Sequence, residues 1–151
     1  MIRLFESRDA EKVSSLIRNT LMVSNSRDYD VEIILQLQQT YSPHRLLMLA
    51  ERREIYVFES RRRLLGTISL ERDTIYGFFV SPDRQNEGIG SALLEHIEET
   101  ARGRGTGCLH IDASLTAVSY YRRRGFLVTG TRGDGRFGRT VHMRKRLQAA
   151  R

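Results

Sequence analysis

The segment of residues 80–91, with the sequence VSPDRQNEGIGS, carries the residue types and the spacing that are most able to do chemistry. An apolar stretch ends at Val80, Pro82 interrupts the strand pattern, and Gly88 and Gly90 precede an amphipathic stretch that predicts a helix. The first turn of a helix exposes unpaired N–H groups and the positive end of the helix dipole, and glycine lets a ligand come close to the backbone. The segment therefore predicts a binding site for a pyrophosphate group.

The spacing of the glycines excludes two common nucleotide-binding motifs. A dinucleotide-binding fingerprint needs a third glycine at position 93, where this chain has Leu93. A nucleotide P-loop needs the dipeptide Gly-Lys, which does not occur in the chain. The alternative interpretation is a glycine-rich helix start that binds no ligand, so the neighbouring sequence has to decide between the two.

Hydrophobic periodicity predicts the elements that would position this segment. Strands are predicted over residues 1–6, 54–59, 64–71, 74–80, 108–113, 126–131 and 139–146, and helices over residues 9–23, 28–41, 90–104 and 114–124, with one or two helical turns over 43–50. In the strand over 64–71, Thr67, Ser69 and Glu71 alternate with apolar residues, which predicts that one face of this strand is wetter. Ser114 is predicted to cap the helix that follows it.

The order of these elements predicts an α+β fold with an α/β mixed sheet. The last two strands are expected to pair as a hairpin around Gly133-Asp134-Gly135. Antiparallel hairpins together with one strand–helix–strand crossover give a central mixed, mostly antiparallel sheet of about seven strands, flanked by about four helices. The length of 151 residues fits one domain over residues 1–151.

Composition narrows the class of protein. Hydrophobic residues make up 40% of the chain and charged residues 28%, which is typical of a soluble globular protein. No run approaches the ~18 apolar residues of a membrane helix, the N-terminus has no apolar signal core, and the single cysteine, Cys108, allows no internal disulfide. A cytoplasmic protein with no membrane partner is therefore expected. The net charge of +7 favours anionic partners without choosing among them.

Two stretches resemble the signature motifs of the GNAT superfamily of N-acetyltransferases. The run FFVSP at residues 78–82, followed by QNEGIG at residues 85–90, resembles motif A of that family, in which Arg/Gln-x-x-Gly-x-Gly/Ala follows a strand that ends near Val-x-Pro. The run ASLTAVSYYRRRGF at residues 113–126 resembles its second signature, which ends in an aromatic residue followed by Tyr-x-x-x-Gly-Phe. Ser114 stands where many relatives have asparagine.

The resemblance implies an enzyme that transfers the acetyl group of acetyl-CoA, its co-substrate, to a primary amine of a small molecule or a polypeptide by direct attack on the thioester. Acetyl-CoA would lie where the strand over 74–80 splays from the strand over 108–113, with backbone groups of Phe78 and Val80 paired to its pantetheine arm. The resemblance implies cofactor-binding roles for Phe78, Phe79, Val80, Gln85, Asn86, Glu87, Gly88, Ile89, Gly90, Ser91, Ser114 and Tyr121. Among these, the N–H groups of the segment 85–91 would hold the pyrophosphate, and Ser114 and Tyr121 would flank the sulfur.

Acyl transfer from a thioester to an amine needs a neutral amine, a donor for the oxygen that becomes negative, and a proton for the departing thiolate. The backbone N–H of Val80 is the candidate donor, because a splayed strand leaves it without a strand partner. Tyr121 is the candidate acid, because the ordinary pKa of a tyrosine, about 10, lies close to that of an alkyl thiol. The alternative interpretation packs Tyr121 in the core. Tyr120 is expected to be the better core residue of the pair and is the fallback acid.

The base that takes the proton of the amine is less clearly marked in the sequence. Glu71, at the end of a strand, is the tentative choice, and Asp73, His110 and a chain of water molecules are the other options. The alternative interpretations are solvated carboxylates at a turn and a hydrogen-bonded core histidine.

Other features have weaker functional interpretations. Cys108-x-His110 lacks further nearby ligands, so no metal is expected. Arginine runs at residues 61–63, 122–124 and 144–146 could bind nucleic acid, but they are expected to face solvent, and Arg123 or Arg124 could hold the 3′-phosphate of the cofactor. A non-catalytic acyl-CoA sensor and an arginine-rich nucleic-acid-binding module remain the alternative functions. The resemblance also implies a possible homodimer.

Overall fold

The computed structural model describes residues 1–133 and 138–148 and arranges them around one seven-stranded sheet. The strands are β1 (Ile2–Leu4), β2 (Glu54–Ser60), β3 (Arg63–Glu71), β4 (Thr74–Val80), β5 (Cys108–Ser114), β6 (Leu127–Arg132) and β7 (Thr140–Arg146). The helices are α1 (Ala10–Val23), α2 (Val31–Thr40), α3 (Pro43–Leu49), α4 (Ile89–Gly103) and α5 (Val118–Arg123). Among the described residues, no helix combines the length and the apolar character needed to cross a membrane.

The strand order is β1-β2-β3-β4-β5-β7-β6, and every neighbouring pair is antiparallel except β4 with β5. The parallel pair is joined by the crossover helix α4. This arrangement confirms the predicted α+β class and the mixed, mostly antiparallel sheet. The pairing of β6 with β7 confirms the predicted hairpin, whereas Asp134 and Gly135 of its expected turn lie outside the described residues.

Two apolar cores lie on opposite faces of the sheet. On one face, α4 packs Leu93, Leu94 and Ile97 against the strands, and this side is called the α4 face. On the other face, α1 packs Val13 and Ile17 with residues of β2, and this side is called the α1 face. In both helices the buried residues recur every three or four positions, as one side of an amphipathic helix requires.

The expectation of a wetter face on β3 is wrong. Thr67 is 1% exposed and Ser69 is 5% exposed, because α1 packs over this side of the strand. The hydroxyl of Thr67 donates to the carbonyl of Tyr56 at 2.9 Å, so it is paired inside the protein instead of with water. Both faces of β3 are therefore buried although polar and apolar residues alternate along it, because small hydroxyl side chains can satisfy their hydrogen bonds in a core.

Two predicted helices have different boundaries in the structure. The helix expected over residues 28–41 begins at Val31, because Asp30 is extended. The helix expected over residues 114–124 consists of a 3₁₀ turn, Leu115–Ala117, followed by α5. Ser114 has the extended backbone of a cap residue, but its side chain makes no capping hydrogen bond, which corrects the predicted side-chain cap.

Candidate functional site

A groove opens where β4 and β5 separate. The two strands pair only at Thr74 with His110 and at Ile75 with Ile111, and beyond Ile75 they diverge. The groove has a volume of about 380 Å³ and runs through the sheet, with Tyr121 on the α4 side and Leu21 on the α1 side among its lining residues. The position of this gap agrees with what the family resemblance implied.

Backbone geometry directs the edge of β4 into the groove. The N–H of Ser81 donates to the carbonyl of Leu65 at 2.8 Å, and Val80 stands opposite Gly66 in the register. In an antiparallel ladder, a hydrogen bond from the residue after one partner to the residue before the other marks a pair whose own backbone groups do not bond to each other. The N–H and C=O of Val80 therefore point away from β3, toward the groove.

The two phenylalanines that precede Val80 have different positions. Phe79 stands opposite Thr67 in a hydrogen-bonded pair, so its backbone is used by β3 and only its side chain faces the groove. Phe78 lies with Gly77 in a β-bulge opposite Ile68, and the Phe78 ring lines the groove. The backbone role predicted for Val80 is therefore geometrically open, and that predicted for Phe78 falls in the bulge, where the regular pairing with β3 is interrupted.

The N-terminus of α4 meets the groove next to this edge. Gly88 precedes the helix with a φ of +84°, in the left-handed region where glycine has no steric penalty. The N–H of Ala92 donates to the carbonyl of Gly88 at 3.0 Å, so the amides of residues 89–91 come before the first intrahelical bond. Gly90 lines the groove, and a Cβ atom there would lie 2.8 Å from the Tyr120 hydroxyl. This cradle of unpaired amides fits a pyrophosphate group.

The other residues of the segment 85–91 that were predicted to bind the cofactor lie in different surroundings. The Gln85 side chain lines the groove and donates to the carbonyl of Val80 at 3.3 Å. Ile89 is buried in the core, and Glu87 pairs with Arg84 at 3.5 Å. Asn86 adopts a φ of +69° in the loop before the helix. Of these four residues, only Gln85 lines the groove, so the side chains of Asn86, Glu87 and Ile89 take no part in its lining.

Two adjacent tyrosines of α5 line the groove, and Tyr121 is the more buried of them. Tyr121 is 4% exposed and stacks edge-on against Phe126 with ring centroids 5.5 Å apart. Burial raises the pKa of Tyr121 well above its ordinary range, which keeps the phenol protonated. The expectation that Tyr120 is the better core residue is wrong, because the docking of α5 turns Tyr121 into the core and Tyr120 toward Gly90.

Tyr120 has its own unusual surroundings. The guanidinium of Arg124 lies over its ring at 3.6 Å and donates to Ser91 Oγ at 2.7 Å. Burial raises the pKa of Tyr120, and the charge of Arg124 opposes that rise. Among the described residues the buried Tyr120 hydroxyl forms no hydrogen bond of normal geometry, although the nearby Ser91 hydroxyl lowers its pKa. Arg124 is thus held against α4, and Arg123 lines a second pocket together with Arg124.

The structure does not bring Glu71 to the groove. Its carboxylate pairs with Arg53 at 3.1 Å and with Arg52 at 3.6 Å, at the turn that joins β3 to β4. Arg53 in turn lies over the ring of Tyr76 at 3.9 Å. The tentative assignment of Glu71 as the base is corrected on this ground, since two arginines hold the carboxylate away from the site.

Several groove residues were missed by the sequence analysis. Asp112 and Thr140 line it on the α1 face, where the Tyr41 ring stacks edge-on against Phe79 at 5.5 Å. Ser114, which was predicted, lies at the end of β5 in the same lining. Alternation in β5 could have found Asp112, because Leu109, Ile111 and Ala113 are core residues and the residues between them face the other side.

One tyrosine ties the α1–α2 connection to the groove. The Tyr29 hydroxyl accepts a hydrogen bond from the N–H of Leu115 at 3.0 Å and donates to the carbonyl of Arg139 at 2.7 Å. Thr116 donates to Asp28 at 2.6 Å beside it.

Over the described ranges, 1–133 and 138–148, no group of three or more histidine, cysteine, aspartate or glutamate side chains could hold a metal ion.

Comparison with known sequences identifies relatives. A model of the acetyltransferase (GNAT) domain matches residues 27–147. The ribosomal protein bS18-alanine N-acetyltransferase of Escherichia coli (strain K12) is 32% identical over 62 residues, which cover 39% of this chain and 42% of that enzyme. The S-(2-succino)cysteine N-acetyltransferase of Bacillus subtilis (strain 168) is 31% identical over 110 residues, which cover 62% of this chain and 66% of that enzyme. The matched segments thus span less than two thirds of these relatives.

Solved structures share the fold over almost the whole chain. A GCN5-related N-acetyltransferase from Rhodopseudomonas palustris has a TM-score of 0.91 at 20% identity, covering 97% of this chain and 95% of that one. The PaiA N-acetyltransferase from Thermoplasma acidophilum, in complex with coenzyme A, has a TM-score of 0.85 at 21% identity, covering 97% and 98%. Together with the splayed strands and the amide cradle, the match over residues 27–147 shows that this chain belongs to the GNAT acetyltransferase family.

Proposed function

We propose that this protein is an N-acetyltransferase, which moves the acetyl group of acetyl-CoA to a primary amine of a small molecule or a polypeptide. The observation that carries the proposal is the groove between β4 and β5, into which the backbone edge of Val80 points. An extended ligand arm with amide groups can pair with such an edge as an added strand would.

The residues around the groove fit the parts of acetyl-CoA. The amides of residues 89–91 and the positive end of the α4 dipole suit its pyrophosphate. A side chain at position 90 would fill this approach, so glycine keeps the cradle open. Ser114 and Tyr121 line the part of the groove beyond Val80, where the sulfur would lie. When bound, acetyl-CoA supplies the activated acetyl thioester.

The chain's own groups perform the remaining chemistry in this proposal. The Val80 N–H donates to the thioester carbonyl oxygen and stabilises the negative charge that develops there. The Tyr121 phenol, kept protonated by burial, donates to the sulfur as it departs. An amine that enters from the α1 face reaches the carbonyl carbon through the gap in the sheet, opposite the α4 face that carries Tyr121.

Calorimetry with acetyl-CoA, followed by a thiol-release assay over a panel of amines, tests the proposal. The panel includes a peptide that begins with alanine, S-(2-succino)cysteine and a lysine-containing peptide, because relatives of this chain act on the first two classes. We expect acetyl-CoA binding and thiol release that depends on at least one amine. Binding without release over the panel would instead favour an acyl-CoA sensor. Salt-dependent nucleic-acid binding without acetyl-CoA binding would favour the arginine-rich module.

Three further properties stay predictions within this proposal. They are a single N-acetyltransferase domain over residues 1–151, a cytoplasmic location and a possible homodimer. Sedimentation of the purified chain with and without acetyl-CoA measures the last of these directly.

A further inference from the structure

Four side chains on the α1 face of the sheet form a continuous chain of polar contacts. Asp112 Oδ1 lies 2.7 Å from Nδ1 of His142, and Nε2 of His142 lies 3.3 Å from Nδ1 of His110. Nε2 of His110 lies 3.8 Å from Oδ2 of Asp73. The two imidazole rings are stacked with their planes 24° apart. These four side chains, called the histidine row, thus consist of two histidines between two carboxylates.

The histidine row connects the groove with solvent. Asp112 and His142 are direct partners in the register of β5 and β7, so their side chains share one face. Asp112 lines the groove. At the other end, the Asp73 side chain is 55% exposed at the turn between β3 and β4. A proton that enters at Asp112 therefore has a short route out of the site.

The number of protons held by the two histidines can be counted from their chemistry. The contacts of His142 with Asp112 and with His110 are within hydrogen-bonding distance, whereas the 3.8 Å from His110 to Asp73 is longer than a direct hydrogen bond. Two neutral imidazoles carry one N–H proton each, so each ring keeps one nitrogen that can take up a further proton. When one proton is added, the resulting positive charge lies between Asp112 and Asp73.

We propose that Asp112, His142 and His110 carry away the proton that the acceptor ammonium must lose before it attacks acetyl-CoA, an inference that rests on the function proposed above. In the receiving state each ring is neutral and carries its proton on Nε2. The N–H bond of the ammonium breaks and the proton goes to the Asp112 carboxylate, which passes it to Nδ1 of His142. His142 Nε2 releases its proton to Nδ1 of His110, and His110 Nε2 releases one to water beside Asp73. The amine is left neutral and both rings are neutral with their protons on Nδ1, and each ring returns to the Nε2 tautomer by exchanging one proton with water before the next turnover.

Charged and titratable groups around the histidines set the context for this transfer. On β7, Arg144 stands opposite His110 in the register, and on β4, Tyr76 lies near Thr74, the parallel partner of His110. Asp112 also takes part in an interaction besides that with His142. The groups that face the histidine pair from the described elements are therefore Asp73, Tyr76, Asp112 and Arg144, with Arg53 above the Tyr76 ring.

Nitrogen-15 NMR of the histidine side chains tests the relay independently of turnover. We expect the ring-nitrogen chemical shifts of His142 to change in the His110→Gln variant, because Nε2 of His142 and Nδ1 of His110 share a hydrogen bond. His44, exposed on α3, provides the matched control, and His44→Gln should leave the ring-nitrogen shifts of His142 unchanged. Ring-nitrogen shifts of His142 that are the same with and without the His110 ring would overturn the relay whether or not acetyl-CoA binds.

Kinetics then tests the role of the relay in catalysis. His142→Asn keeps an amide donor near Asp112 but cannot carry a proton, so a purely structural role predicts little change. We expect kcat to fall by about 10-fold or more in His142→Asn and in His110→Gln, with a shifted acid limb of the pH profile, while calorimetry gives an unchanged Kd for acetyl-CoA. An unchanged pH profile in both variants, beside an active wild type, would overturn the relay and leave the acetyltransferase proposal standing. Absence of acetyl-CoA binding in the wild type would overturn the proposed function itself.

Discussion

The hydroxyl oxygen of Tyr120 lies 2.8 Å from the point that a Cβ atom would occupy at Gly90. α5 and the first turn of α4 are therefore packed so closely that a Cβ atom at position 90 would force the end of the Tyr120 side chain to move. The same glycine faces the groove, so the closeness of the two helices and the openness of the amide cradle depend on one residue.

Replacement of Gly90 should damage the cradle more than the fold. In Gly90→Ala the new methyl group also comes within 3.6 Å of Val80 and Phe78, so the start of α4 or the Tyr120 side chain has to shift. We expect acetyl-CoA binding to weaken about 10-fold or more, which corresponds to about 1.4 kcal/mol. Isothermal titration calorimetry measures this change.

Gly103, the last residue of α4, supplies the matched control. A Cβ atom there meets no heavy atom within 4 Å, so Gly103→Ala should leave the acetyl-CoA affinity unchanged. It should keep or raise the unfolding free energy, by up to about 1 kcal/mol. Equal affinities in the two alanine variants would contradict the cradle.

Tyr121→Phe should slow turnover without weakening acetyl-CoA binding. The variant keeps the ring that packs against Phe126 but loses the donor to the departing thiolate. We expect kcat to fall by about 10²-fold with Kd for acetyl-CoA unchanged. Because burial raises the pKa of Tyr121, its deprotonation should not lower kcat at any pH below about 10, the ordinary value.

Tyr120→Phe tests whether Tyr120, and not Tyr121, is the acid. Among the described residues the Tyr120 hydroxyl forms no hydrogen bond of normal geometry and has Ser91 as a polar neighbour, so its removal should change the unfolding free energy by less than about 1 kcal/mol. Activity should stay within about threefold of the wild type, a change of less than about 1 kcal/mol. A large loss of kcat in Tyr120→Phe with an active Tyr121→Phe would transfer the role of acid to Tyr120.

The N-terminal ion pair should make stability depend on acid pH. Arg3 donates to Asp9 at 2.8 Å, and this hydrogen bond is the main cause that lowers the pKa of Asp9. A carboxyl whose pKa is lower in the folded state stabilises the fold above its unfolded pKa of about 4, and the contribution is lost as pH falls through the folded value. Asp9→Asn should therefore cost about 1–3 kcal/mol at pH 7 and much less near pH 2, as measured by urea unfolding.

The neighbouring exposed pair provides the control for this measurement. Arg8 pairs with Glu6 at 2.5 Å, but their side chains are 71% and 54% exposed. Arg8→Ala should change the unfolding free energy by no more than about 0.5 kcal/mol. A cost for Asp9→Asn that does not vary with pH would show that the charge of Asp9 is not what stabilises the fold.

Loss of the Tyr29 hydroxyl should destabilise the protein and increase local opening at Leu115, next to the groove. Tyr29→Phe leaves the N–H of Leu115 and the carbonyl of Arg139 without the partner they share. We expect a loss of about 1–3 kcal/mol in unfolding free energy. Hydrogen exchange at Leu115 should also become faster, whereas Tyr76→Phe should leave the exchange at Leu115 as in the wild type.

Local sequence patterns predicted the elements of the site well. Gly88 and Gly90 could be placed at a helix start because the strand, the proline and the helix follow each other within a short segment. The gap between β4 and β5 followed from the family resemblance. These features depend on neighbours in the chain, which a single sequence displays directly.

Features that depend on packing between distant segments could not be predicted in this way. Tyr120 and Tyr121 are adjacent, and only the docking of α5 decides which of them is buried. Glu71 is held by Arg52 and Arg53, which lie in the connection between α3 and β2. Asp112 and His142 are 30 residues apart and meet only through the register of β5 with β7, which the sequence does not state.

The direction of the Val80 amide has a consequence for mutagenesis. Because that N–H belongs to the main chain, every one of the twenty residues except proline would supply it equally well. An alanine scan of β4 would therefore assign this contact to no residue at all. Semisynthesis with an ester in place of the amide would remove the donor while leaving the valine side chain intact.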